Sequence, residues 1–415
     1  MSRNTQNKRK VFNDPVYGFI TIPNELVFDI IEHPWFQRLR RIKQLGLTHL
    51  VYPGALHTRF HHALGTLFLM KQAIDTLKMK GHDISKEEEM GVTLAVLLHD
   101  IGHGPFSHAL EHSIVTGLSH EDLSVLFMNR LNDQFNGQLS LAIDIFNNNY
   151  HKHFLHQLVS SQLDMDRMDY LKRDSFFTGV SEGVISADRL INMLNVKDDE
   201  LCVEAKGIYS VEKFIVARRL MYWQVYYHKT VVAAEQILVH ILKRAMEIHR
   251  AGDKVFATPA FLFFLDQNFG LKAFQQNPEI LDMFSLLDDF DIFTSVKLWM
   301  SHPDPLLSRL SSCLVNRNLF RIEIQKEAFN DSYVEAIKEE IIEHTNIGPD
   351  LLHYLIYSGE ITNDAYNPNR DRIKILLKNG IAEDITESSE QLNVAVLSQT
   401  VSKHYLCYPK FITNQ

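Results

Sequence analysis

The residues that could do chemistry crowd into one stretch of the chain. His99 and Asp100 adjoin at the end of an apolar run, Val92 to Leu98, and Gly102, Gly104 and Pro105 break the chain just after them, with His103 and His108 alongside. A neutral imidazole next to a carboxylate can point both groups at one cation. A His-Asp pair alone serves a helix end as readily as a metal, so its company decides the reading. His62 precedes the pair on an expected helix and Asp166 follows in DRMDYLKRD on another, which allows a His2Asp2 set with room for water or phosphate. Mixed nitrogen and oxygen ligands suit Mn, Fe, Co or Zn, with Mg admissible, over a thiolate-seeking ion, and at least one divalent ion per subunit is expected. Of 21 histidines, ten fall between His49 and His120.

The elements that must carry these groups read mostly as helices. KVFNDPVYGFITIP alternates apolar residues around Asn13, Asp14 and Pro15, the pattern of a short β-hairpin. Phe60, Leu64, Leu67, Met70, Ile74 and Leu77 repeat at helical spacing up to Gly81, and Ser85 with Glu88 is a capping box ahead of the run to His99. The glycines and Pro105 force a turn, after which FSHALEHS begins another helix. FLHQLVSSQLDMDRMDYLKRD reads as one long helix, and so does the stretch from Val211 to Arg250. On the former, Asp166, Tyr170 and Asp174 stand at i, i+4 and i+8 and share one stripe. Helices continue to about residue 355; then IKILLKNGIAEDI and HYLCYP read as strands about a turn at Asn379 and Gly380. The expected fold is mainly α: a disordered start at 1–9, an all-helical core over 10–319 with an N-terminal β-hairpin, and a small C-terminal α/β subdomain over 320–415. His151, His153 and His156 read as a solvated helix face, and Met221, Trp223 and Tyr227 as core.

Composition sets the bounds. In 415 residues, 45% apolar and 22% charged, there is enough material for a large globular core, and the net charge of −9 argues against nucleic acid as the main partner. Three distant cysteines, Cys202, Cys313 and Cys407, form neither a metal motif nor a disulfide framework, in keeping with a reducing cytoplasm. No segment reaches the roughly 18 apolar residues of a membrane helix.

RFHHALG, HDIGHGPFSHALEH, SHEDLS and DMDRMDYLKRD, in that order, resemble the HD-domain superfamily, and most of all its deoxynucleoside triphosphate triphosphohydrolases. The likeness includes the metazoan enzyme that joins an HD domain to a sterile-alpha-motif domain, and it runs from about Lys10 to about Lys243. It implies hydrolysis of dNTPs to deoxynucleoside and inorganic triphosphate. It also implies His62, His99, Asp100 and Asp166 as metal ligands, and His108 with Glu111, aided by His103 and His120, as the catalytic group. Substrate would be held by Arg59, Arg167 and Arg218 at the phosphates with Tyr170 as hydroxyl donor, and by Gln44, Leu45, Asp174 and Tyr226 at the sugar. Guanidinium forks suit multi-oxygen anions. A tyrosine against C2′ leaves no room for a 2′ hydroxyl.

In allosteric members of the family a guanine nucleotide binds between subunits, and the matching positions are Lys10, Val11, Asn13, Glu32, Gln37 and Arg40, with Glu32 in place of an aspartate. The resemblance therefore implies a dGTP, GTP or dNTP activator and a homodimer or homotetramer. The alternatives are an HD phosphohydrolase that removes one phosphate or pyrophosphate or cuts a phosphodiester, and a nucleotide-sensing or single-strand-binding module with a vestigial active site.

Overall fold

The computed structural model describes residues 10–106, 115, 117–345, 347–363, 366–368, 372–389 and 400–412. An antiparallel hairpin, β1 Val11–Asp14 and β2 Gly18–Thr21, opens the chain, followed by α1 Glu25–Glu32 and α2 Pro34–Gln37. The helices around the His/Asp stretch are α3 Arg59–Met79, α4 Lys86–Leu98, α5 His120–Gln134, α6 Ser140–Phe146, α7 His153–Val159 and α8 Met165–Thr178. Next come α9 Ala187–Met193, the antiparallel pair β3 Leu194–Lys197 and β4 Glu200–Glu204, α10 Ile208–Met221 and α11 Lys229–Arg250. Shorter helices follow: α12 Pro259–Asp266, α13 Leu271–Gln276, α14 Pro278–Phe284, α15 Asp289–Trp299 and α16 Pro305–Val315. The chain closes with β5 Arg321–Gln325, α17 Asp331–Thr345, β6 Tyr357–Asn363, β7 Lys374–Leu376, β8 Ala382–Asp384, α18 Ile385–Ser388 and β9 Val401–Tyr408. The mainly helical fold with an N-terminal hairpin and small C-terminal sheets agrees with expectation. Among the described residues no helix is long and apolar enough to cross a membrane.

Local chemistry fixes the helix starts. Ser85 Oγ accepts from Glu88 N at 3.1 Å while Glu88 Oε2 accepts from Ser85 N at 2.8 Å, so α4 starts in the expected capping box. Ser119 and Asp122 cap α5 in the same way. Helix α3 is buried along most of its length and packs against α4 and α8. Its contact with α8 depends on Gly65, where a Cβ would lie 1.9 Å from Asp169 Oδ1.

Two expected long helices are broken. The stretch 154–174 divides into α7 and α8, because Asp164 accepts from Ser161 N and Arg167 N, both at 2.7 Å, and caps a new helix. The stretch 211–250 divides into α10 and α11 around a π turn at Tyr222–Tyr226, closed by Tyr227 N to Tyr222 O at 2.7 Å. Helix α11 restarts with His228 Nδ1 accepting from Thr230 N. The β3–β4 hairpin also lies where only helices were expected. Its turn is Asp198–Asp199, both at positive φ, +54° and +63°. The expected helix at FSHALEHS spans 106–113, all of which after Phe106 lies outside the described residues.

The C-terminal strands form two sheets. An antiparallel set, in the order β5-β9-β6, stands by itself, whereas the β7–β8 hairpin pairs in parallel with β4. The turn at Asn379 and Gly380 lies between β7 and β8 as expected, with Gly380 at φ +82°.

Candidate metal centre and cavity

His62 comes from α3, His99 and Asp100 from the end of α4, and Asp166 from the first turn of α8. His62 Nε2 stands 3.0 Å from Asp166 Oδ1 and 3.8 Å from Asp100 Oδ2. His99 Nε2 stands 3.5 Å from Asp166 Oδ1 and 3.4 Å from Asp100 Oδ1. Two ligand atoms about 2.1 Å from a common ion lie roughly 3.0 to 3.4 Å apart at octahedral or tetrahedral angles. The His62–Asp166 and His99–Asp100 pairs fall within that spacing and the other two lie a little beyond it; His62, His99 and Asp166 form one group able to hold an ion, and Asp100 adjoins it while also grouping with His103 and His120.

The histidine tautomers follow from their other ring nitrogens. His99 Nδ1 lies 2.6 Å from Val96 O, which can only accept, so Nδ1 carries the proton and the Nε2 lone pair points inward. His62 Nδ1 likewise donates to Asp169 Oδ2 at 2.7 Å. Both Nε2 atoms are buried without a hydrogen-bond partner. A buried lone pair facing carboxylates suits a divalent cation, and His, His, Asp and Asp are the donor types such an ion takes.

Asp169 was missed in the sequence. It is fully buried, orients His62, and is itself held by Arg173 Nε at 2.9 Å; Arg173 Nη1 reaches on to Asp14 Oδ2 at 2.7 Å. Its signal was the second acid, three residues after Asp166. Burial alone would lower the His62 pKa, but the Asp166 and Asp169 carboxylates raise it to about 10, so without a cation Nε2 takes up a proton at the position where a metal would replace it. Burial would raise Asp166, but the bonds to His62 and His99 hold it well below the usual carboxylate range. This field attracts positive charge.

The centre opens into a cavity of about 560 Å³. Gln44, Leu45, Arg59, Arg167, Tyr170, Asp174 and Tyr226 line it with His103 and His120, so most of the expected site residues share one space. His103 Nε2 is 3.2 Å from Asp100 Oδ1, and its ring stacks on His120 with centroids 3.9 Å apart. Burial and the nearby Arg59 push the His103 pKa well down, leaving a neutral imidazole. Arg59 pairs with Asp100, and Arg167 with Asp164. Arg218 is not among the residues lining the cavity; its guanidinium lies 6.0 Å over the Tyr222 ring. His108 and Glu111 lie outside the described residues.

Asp174 is held at both oxygens, by His57 Nε2 at 2.8 Å and by Tyr226 Oη at 2.8 Å. His57, Tyr222 and Glu235 are further residues at or behind the cavity wall that the sequence did not mark. Glu235 lines the cavity with no hydrogen-bond or ion-pair partner among the described residues, and burial pushes its pKa up to about 7. His156 also lines the cavity, which corrects its reading as part of a solvated face: its Nδ1 bonds Ile145 O and the residue is half-buried. The helix break after Val159 is what brings this region to the cavity wall.

The residues matched to an activator site lie elsewhere. Lys10, Val11 and Asn13 sit on or next to β1, with Lys10 Nζ 3.7 Å over the Phe28 ring. Arg40 Nε donates to Gln37 Oε1 at 2.8 Å, stacks 3.6 Å over Phe60, and feels the charge of Glu32. Phe12 meets the same Phe60 ring edge-on, so the two groups share one patch.

The HD domain family matches residues 59–174 and the HD associated region matches 185–302. An uncharacterized protein of Bacillus subtilis (strain 168), YwfO, is 32% identical over 97% of this chain and 93% of its own. A protein of Dictyostelium discoideum, named as a deoxynucleoside triphosphate triphosphohydrolase SAMHD1 homolog, is 31% identical over 60% of this chain and 52% of its own. The crystal structure of a phosphohydrolase from Bacteroides thetaiotaomicron VPI-5482 superposes with a TM-score of 0.94 at 51% identity, over 97% of this chain and 100% of that one. The matched HD stretch begins at Arg59 and ends at Asp174, the span that holds all four expected ligands. The chain belongs to the HD-domain phosphohydrolases that carry an HD-associated region.

Proposed function

We propose that this phosphohydrolase cleaves deoxynucleoside triphosphates to deoxynucleoside and inorganic triphosphate. The observation that carries the reading is a single row of groups on α8 inside one cavity. Asp166 stands at the metal centre, Arg167 and Tyr170 follow, and Asp174 stands about 12 Å further along the helix axis at 1.5 Å per residue. Asp174 in turn fixes Tyr226 at 2.8 Å, supplying a rigid wall at the sugar end.

In this reading His62, His99, Asp100 and Asp166 hold the cation. When bound, it lowers the pKa of water and polarises a phosphoryl oxygen. The guanidiniums of Arg59 and Arg167 neutralise phosphate charge, with Arg218 adding positive charge from behind Tyr222, Tyr170 donates to a phosphate oxygen, and Gln44, Leu45 and Asp174 hold the sugar. Water oxygen bonds to the α-phosphorus as its bond to the 5′ oxygen breaks. One water proton ends on the departing 5′ oxygen, and triphosphate leaves. His108, backed by Glu111, handles that proton, with His103 and His120 beside it.

As part of the same reading, Lys10, Val11, Asn13, Glu32, Gln37 and Arg40 bind a dGTP, GTP or dNTP activator at the junction of two or four identical subunits. The enzyme works in the cytoplasm, where its free cysteines stay reduced. Incubation with each dNTP and NTP plus Mn or Mg, with and without dGTP or GTP, tests the proposal. Intact triphosphate and deoxynucleoside are expected. Phosphate or pyrophosphate as the first product overturns it, and equal hydrolysis of ribonucleotides removes the assignment of Tyr226.

A further inference from the structure

Beside the expected metal ligands, the cavity is bounded by two backbone segments. One is the turn 101–106, which carries His103; the other is the segment 42–45, which brings Gln44 and Leu45 to the cavity. They approach closely: a Cβ on Gly46 would lie 3.4 Å from Phe106 O. Phe106 itself holds a left-handed φ of +52°, a conformation that costs a non-glycine residue and needs support from its surroundings.

That support comes from the HD-associated region. Asp289, the first residue of α15, is buried, and its two oxygens divide between the two segments. Oδ1 accepts from Phe106 N at 2.9 Å and Oδ2 accepts from Lys43 N at 2.9 Å. Lys43 Nζ returns to Oδ2 at 3.5 Å and lies 5.7 Å over the Phe106 ring. Two residues earlier, Leu287 O accepts from the buried Arg38 at 3.0 Å, while the other terminal nitrogen of Arg38 bonds Ile101 O and His103 O at 2.9 Å each. The same short stretch before α15 thus grips both ends of the His103 turn. A carboxylate that bridges two backbone N–H groups fixes their separation more tightly than packing does, since each unmet N–H costs about 1–3 kcal/mol.

We propose that Asp289 is a positioning residue: by holding Phe106 and Lys43 on its two oxygens, it sets the spacing between the His103 turn and the Gln44–Leu45 wall, and so places the HD-associated region in control of the catalytic geometry. The inference rests on the reading of the cavity as the active site. None of the four metal ligands hangs on Asp289, so its loss separates geometry from metal binding. Displacement of a catalytic group by about 1 Å costs on the order of a hundredfold in rate.

The test compares Asp289→Ala, Asp289→Asn, Asp288→Asn and His103→Ala with the parent, on the four dNTPs with Mn. Asp289→Ala is expected to lower kcat at least tenfold with a full metal complement, and to speed amide exchange in 101–106 at least tenfold. Asp289→Asn keeps one acceptor but turns an amide N–H₂ on the other segment, so it should fall between; it carries the test where the alanine variant folds poorly. Asp288→Asn keeps the helix cap and should match the parent. Loss of turnover in His103→Ala with parental kcat and exchange in Asp289→Ala overturns this inference alone. Parental turnover in both overturns the reading of the cavity as well. If none of the dNTPs is turned over, the exchange measurement still decides the inference.

Discussion

Asp169 shows how much of a metal site lies behind its ligands. It is not one of the four proposed ligands, yet it sets the tautomer of His62 and stands within a buried string of charges. Asp169→Asn is expected to weaken metal affinity 10- to 100-fold, roughly the loss found for such orienting partners, measured as metal retained after dialysis against a chelator. Glu235 offers a test by pH. Its folded carboxyl keeps a proton to about pH 7, whereas the unfolded chain releases it near the ordinary glutamate value of 4.5. Between those values folding takes up a proton, so stability falls as pH rises through the window, and the full penalty stands above it. Glu235→Gln is therefore expected to be more stable than the parent at pH 8.5 by about 1–3 kcal/mol, with the gain vanishing towards pH 4.5, read from urea unfolding at both values. His62, His99, Asp100 and Asp166 were legible because the HD pattern gives their types and order. Asp169, His57 and Glu235 were not, because what distinguishes them is burial and a partner far along the chain.

At the scale of elements, the crossing of α3 and α8 at Gly65 is the most exacting contact. An alanine methyl there would meet Asp169 Oδ1 at 1.9 Å and Arg173 Nη2 at 2.3 Å, neither free to move. Gly65→Ala is expected to cost about 3 kcal/mol or more and to reduce metal content together with stability, checked by urea unfolding and metal analysis. The capping box of α4 and the N-terminal hairpin could be read directly, since both rest on neighbouring residues. The interruption after Met221 could not: apolar and aromatic residues continue through it at helical spacing, and only the Tyr227-to-Tyr222 bond reveals the extra residue in that turn. The β3–β4 hairpin escaped notice because its Asp-Asp turn lacks the glycine that usually signals a tight hairpin.

At the scale of the molecule, the C-terminal segments are sewn into the rest. Strand β7 pairs with β4, Gln162 exchanges two hydrogen bonds with the Asn367 backbone at 2.6 and 2.8 Å, and Ser389 bonds the buried Glu212. A chain cut after residue 319 would bare an edge of β4 and strand buried polar groups, so we expect it to aggregate, as light scattering after size exclusion would record. The strand character of that region was readable from sequence; that one hairpin of it completes a sheet begun near residue 194 was not, because strand partners so distant leave no local pattern.

The line of paired charges from Asp14 through Arg173 and Asp169 to His62 has a consequence for how the molecule ages. The first strands act as a stopper over a guanidinium that has no water to fall back on. Once they are clipped or peeled away, Arg173 loses its outer carboxylate and the Asp169–His62 pair its anchor, so turnover is expected to fail before the bulk of the fold gives way.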